Sequence, residues 1–156
     1  MIRVQREDFD VSAELRTVTE GRHGIGGVVS FVGLVRDLMP PESGSDSAPS
    51  LSAMTLEHYP GMTEKKLAEI EAEALDRWTL DACLIVHRYG RLEPGEQIVL
   101  VITASAHRKE AFEAAEFLVD WLKTKAPFWK LESTDQGDQW VEAQSTDDAA
   151  ADRWKE

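Results

Sequence analysis

The segment Trp121–Lys130, W-L-K-T-K-A-P-F-W-K, sets three lysines within eight residues, wrapped in apolar and aromatic side chains. Ammonium groups beside aromatics lose part of their hydration, which tunes them for holding an anion or passing a proton. The plainer reading is a helix C-terminus whose lysines favour the macrodipole. Two further stretches also end in basic residues. Val99–Arg108, V-L-V-I-T-A-S-A-H-R, runs from an apolar strand into a helical pattern. It places His107 and Arg108 at a helix N-terminus, where unpaired N–H groups and the dipole meet anions. Gly27–Asp37, G-V-V-S-F-V-G-L-V-R-D, is a second apolar strand, ending at Arg36. Three basic sites at the ends of separate elements could converge on one pocket.

These cations stand out against the rest of the chain. With 17 Lys+Arg against 29 Asp+Glu, the formal net charge is -12, so a local cationic cluster points to one specific anion and not to a basic surface. The same balance argues against nucleic acid as a partner. At 156 residues and 42% hydrophobic content the chain fits one domain with its own core. No apolar run reaches the ~18 residues of a membrane span, and M-I-R-V-Q-R-E-D has no apolar signal region. Cys83 is the single cysteine, so an intrachain disulfide is excluded and a cytoplasmic location is expected. Set in the run A-C-L-I-V, it reads as a small buried hydrophobe. His58 and His87 alternate with apolar residues and read as packed or surface histidines. No histidine pair has zinc-site spacing, and both G-x-x-x-x-G-K-[ST] and G-x-G-x-x-G are missing. No metal or cofactor is expected.

The elements that must position the cations alternate between strand and helix. Strands are predicted over Ile2–Gln5, Val28–Val35, Ala53–Tyr59, Ala82–Tyr89 and Gln97–Ala104, the last two joined through Glu93-Pro94-Gly95. Helices are predicted over Ser12–Glu20, Thr63–Trp78 and Ala106–Lys125, the last with Phe112, Ala115, Val119 and Leu122 on one face and Pro127 as terminator. Pro40–Ser52 is Ser/Pro-rich and reads as a mobile loop. Phe128–Thr134 and Gln139–Ala143 pair as a hairpin around Asp135–Asp138. The acidic, alanine-rich stretch after Thr146 reads as a loose helix. The division expected is a single domain over 1–146 and an acidic tail over 147–156.

Parity within the hairpin matters. Phe128, Lys130 and Glu132 share one strand face, and Trp129 and Leu131 take the other. Packing of Trp129 and Leu131 on the core would turn Lys130 to a pocket with Glu132 beside it. The carboxylate favours the charged ammonium and burial opposes it, and both remain open. Lys123 and Lys125 lie roughly 200° apart around a helix, so only one shares a pocket with Lys130.

Six segments in order carry a family resemblance: F-V-G-L-V-R-D at 31–37, L-E-H-Y-P-G-M-T at 56–63, H-R-Y-G-R-L at 87–92, S-A-H-R at 105–108, L-K-T-K-A-P-F-W-K at 122–130 and G-D-Q-W-V-E-A at 137–143. From Val28 to Ala143 the chain resembles the large, catalytic subunits of molybdopterin synthases. The resemblance implies an α+β fold of the α/β hammerhead kind: a single domain with a mostly antiparallel sheet, two long helices and an added small antiparallel sheet. It implies sulfur transfer from the C-terminal thiocarboxylate of a small ubiquitin-like carrier, ending in Gly-Gly, to cyclic pyranopterin monophosphate. It selects Lys123 and Lys130 as the essential lysines, and Arg36, His107 and Arg108 as substrate-anion contacts. It puts Gly33, Leu34, Val35, Leu131 and Glu132 on substrate-binding segments. It also implies a homodimer of these subunits with a carrier at each outer end, a heterotetramer.

The chain departs from the family pattern at Leu131, Gln139 and Gln144, where basic residues are common, which thins the positive charge at that end of the site. Two other classes of function fit the same residues. A non-catalytic module would use the lysines only as charge, and a Schiff-base enzyme would use Lys130 on a carbonyl.

Overall fold

The computed structural model describes residues 1–37, 51–141 and 145–155; most of the stretch read as a mobile loop lies outside them. The first sheet has the order β1-β4-β6-β2, built from β1 (Ile2–Gln5), β4 (Ala82–Arg88), β6 (Gln97–Ser105) and β2 (Gly27–Leu34). Only the β1–β4 pair in it is parallel. Strand β4 is buried at every position, as a central strand covered on both faces must be. Its alternate residues feed two cores. Cys83 and Ile85 join Val101 beneath α2 (Met62–Arg77) and α3 (Arg108–Thr124). Ala82, Leu84 and Val86 meet Phe9 and Val18 on the side of α1 (Val11–Thr19). The helices are stopped and started by local chemistry. Asp10 caps α1 by accepting from the Ala13 N–H at 3.0 Å. Gly61, with φ +82°, turns the chain into α2, and its N–H donates to the Glu64 carboxylate at 2.7 Å.

The second sheet has the order β5-β3-β7-β8 and is antiparallel throughout, with β5 (Gly90–Leu92), β3 (Leu51–His58), β7 (Phe128–Thr134) and β8 (Gly137–Val141). It is the added antiparallel sheet expected, with as many strands as the first but shorter ones at its edges. Strand β5 was not predicted: the segment between β4 and β6 is not a plain link. At Gly90, φ +92°, the chain leaves the first sheet and enters the second. The β7–β8 hairpin expected around Asp135–Asp138 is present, and of the loop lengths open to it the chain takes a tight one. Thr134 pairs with Gly137, leaving Asp135 and Gln136 as the turn.

Helix α3 buries Ala111, Ala114, Ala115, Phe117, Leu118 and Leu122. Phe112 was expected on that face but is 63% exposed, because the small residues let the helix settle about Phe117. The terminal helix α4 (Ser145–Asp152) packs on α3. Just beyond it, Trp154 stacks edge-on against Phe117 and Trp78.

Candidate active site

Between the two sheets, at the C-terminal end of α3, lies a cleft of about 830 Å³. Three structural devices build its walls. The first is the end of β2. Gly33 pairs with Val99 but Leu34 pairs with Gln97, so the register slips at this point. A Cβ on Gly33 would sit 2.7 Å from Val99 Cγ1, so any larger residue would have to displace that side chain. Val35 is then buried, its N–H donating to Glu96 O at 2.9 Å and its carbonyl accepting from Gly95 N–H at 2.8 Å. Those two bonds anchor the backbone that delivers Arg36 to the rim.

The second device is the β3–β7 ladder. Leu56 pairs with Lys130, and Met54 with Glu132. One face of the sheet therefore sets an ammonium and a carboxylate over an apolar floor of Met54 and Leu56. Lys130 Nζ lies 3.1 Å from Glu132 Oε1. The face is the one expected for Lys130, but the reason differs. Trp129 was expected in the core and is 47% exposed, its ring 6.1 Å from that of Tyr59. Leu131 pairs with Trp140 on that same outer face, away from the cleft. A two-faced strand has one inner side, and here it carries Phe128, Lys130 and Glu132.

The third device is the last turn of α3, which brings Leu122 and Lys123 to the cleft. Lys125 is turned elsewhere, its ammonium 5.3 Å from the centre of the Trp121 ring. The helix geometry thus separates the two lysines as their spacing requires.

Gly33, Leu34, Val35, Arg36, Lys123, Lys130 and Glu132 all line this one cleft. His107 and Arg108 do not. They are exposed at the opposite end of α3, about 22 Å away along the helix axis. There the start of β2 abuts the first helical turn, a Cβ on Gly27 falling 3.4 Å from Arg108 Cα. Within one chain, then, two of the three basic sites converge and the third is remote.

Residues that the sequence reading left out also line the cleft. His87 and Phe128 stack face to face, centroids 3.8 Å apart at 16°. The packed reading of His87 holds, since it is buried, but its ring also meets the cleft. The available signal was parity: His87 continues the inward stripe of Cys83 and Ile85. Burial pushes the Cys83 thiol up to about 12, with Glu71 adding to the shift and the terminal ammonium opposing it. Cys83 is therefore a protonated core residue and no sulfur nucleophile. His58 is packed too, its ring 4.1 Å from that of Tyr89.

The chain is similar to known proteins in both sequence and fold. Residues 4–125 match the family model described as MoaE protein. The molybdopterin synthase catalytic subunit of Mesorhizobium japonicum is 54% identical, over 99% of this chain and 92% of its own length. The solved molybdopterin biosynthesis MoaE protein from Burkholderia ambifaria superimposes with a TM-score of 0.80 at 51% identity, over 99% of this chain and 98% of that one. The crystal structure of molybdopterin synthase from Staphylococcus aureus gives 0.78 at 30% identity, over 90% and 96%. On the near-complete match to these relatives in both sequence and fold, the chain belongs to the MoaE protein family.

Proposed function

We propose that this chain is the catalytic subunit of a molybdopterin synthase, moving sulfur from the C-terminal thiocarboxylate of a small carrier to cyclic pyranopterin monophosphate and so building the dithiolene of molybdopterin. One observation carries the reading: Arg36, Lys123 and the Lys130–Glu132 pair surround a single cleft, in a chain whose relatives over nearly its whole length are molybdopterin synthase catalytic subunits.

Each group has a physical task. The Arg36 guanidinium clamps the substrate phosphate through its fork of N–H donors. Once the carrier sulfur is bonded to a substrate carbon as a thioester, water adds to the thioester carbonyl; Lys130, oriented by Glu132, stabilises that oxyanion, whose collapse leaves the sulfur on the substrate and returns the carrier carboxylate. Lys123 orients the donor tail or passes a proton. Gly33, Leu34 and Val35 contribute backbone and apolar surface. Leu131 serves by holding the β7–β8 pairing, not by touching substrate. A Gly-Gly tail suits a cleft between sheets because it has no side chains to exclude.

His107 and Arg108 cannot reach the substrate held by their own chain's cleft. In the same proposal they serve the cleft of a second copy, in a homodimer carrying a carrier at each outer end. The location is cytoplasmic, where the lone thiol stays reduced.

The direct test mixes the protein with thiocarboxylated carrier and cyclic pyranopterin monophosphate under single-turnover conditions and detects the dithiolene. Product formation is expected. No product, with carrier binding verified, would overturn the reading and favour a module that binds without catalysis.

A further inference from the structure

His87 ends the inward stripe of β4 at the point where the core gives way to the cleft. Its Nδ1 lies 2.8 Å from the Arg88 carbonyl oxygen. A carbonyl carries no hydrogen, so Nδ1 holds the proton and donates, and in the neutral ring Nε2 is left with a bare lone pair. Burial keeps the ring neutral, pushing its pKa down to about 4; the Arg88 carbonyl works against that shift and His58 works with it. Among the described residues no protein group hydrogen-bonds Nε2, and His87 is one of the residues that line the cleft. Phe128 stacked on the ring fixes its plane.

The surrounding chemistry says what such an atom recognises. Arg36, Lys123 and Lys130 can only donate, and the cleft's carboxylates, Glu132 and Asp37, are charged acceptors. A neutral acceptor beside an aromatic face matches the N–H edge of an uncharged planar heterocycle. We propose that His87 Nε2 accepts a hydrogen bond from a ring or exocyclic N–H of the substrate's pterin and so sets the orientation of that ring in the cleft. This rests on the function proposed above. It makes His87 a substrate-reading residue, separate from the groups that handle phosphate and sulfur.

The test is histidine side-chain ¹⁵N NMR of the wild-type protein during titration with cyclic pyranopterin monophosphate, with binding followed in parallel by calorimetry. The free protein should show His87 as the Nδ1–H tautomer. The unprotonated Nε2 resonance should move upfield as substrate saturates. Binding with Nε2 unmoved would overturn the His87 assignment and leave the proposed function standing; no binding at all would overturn both. Two variants add a functional readout. His87→Phe keeps the stack and removes the acceptor, and should raise the substrate Kd roughly five- to hundredfold. His87→Gln restores an acceptor and should recover most of that loss. Equal weakening in both variants, at unchanged Tm, would contradict the proposal.

Discussion

The two ends of α3 are alike in charge and unlike in surroundings. At the C-terminal end Lys123 joins Arg36 and the Lys130–Glu132 pair across a cleft floored by Met54 and Leu56. At the N-terminal end His107 and Arg108 stand exposed on the helix start, with Glu110 already in the first turn. The lesson is that a basic residue at an element end is not yet a site. The first group has walls, made by a slipped strand register and a second sheet; the second has a helix terminus and the start of β2. If both ends serve one substrate, they do so across two copies of the chain.

That comparison can be broken most sharply by mixing variants. Lys130→Ala alone should lose about 10²–10³-fold in kcat, the usual cost of deleting an oxyanion donor. Arg108→Ala alone should also be impaired. Mixed dimers of the two variants contain one cleft with both residues intact if sites are composite, so activity should return on mixing. If each chain uses its own His107 and Arg108, every cleft stays defective and mixing restores nothing. Lys130→Arg keeps the charge but not the compact ammonium, and should also lose most activity; near-full activity would favour the binding-module reading.

The next effect is on stability and reads the buried side of the cleft. The folded state keeps His87 neutral, its pKa about 4 against 6.5 for an ordinary histidine. The unfolded chain therefore binds the extra proton more readily, and stability falls as pH drops from about 6.5 towards 4. Full protonation would cost about 3 kcal/mol from this residue. Denaturant unfolding of wild type and His87→Phe across that range should show a shallower acid loss in the variant; parallel curves would contradict it.

Gly33→Ala should be smaller, about 1–3 kcal/mol, because the added methyl must displace Val99. Thermal unfolding checks it. Smallest of all, Cys83 should resist thiol reagents in the native protein and react on unfolding, since its thiol stays protonated at neutral pH.

Much of this was legible in residue spacing. The period-two pattern of β7 placed Lys130 and Glu132 together, and the helical period separated Lys123 from Lys125. Spacing could not say which strand face turns inward, so Trp129 was assigned to the core although it lies outside. That choice is made by the partner strand β3, whose Met54 and Leu56 are distant in sequence. Strand β5 was missed because a three-residue element has too little periodicity to register. The distance between the ends of α3 was implicit in its length, while the chemistry of the three basic sites alone left their convergence open. His87 was read as packed, which it is; that a packed ring also borders a cleft depends on Phe128 and on where the second sheet docks.

The most direct test of the central claim compares Lys130→Ala with Lys125→Ala in single-turnover sulfur transfer. Both remove one lysine from the same ten-residue segment, but only Lys130 borders the cleft. Dithiolene formation should fall about 10²–10³-fold for Lys130→Ala and stay within about twofold of wild type for Lys125→Ala, a surface change. Equal losses in the two variants, or full activity in Lys130→Ala, would contradict a sulfur-transfer site in this cleft.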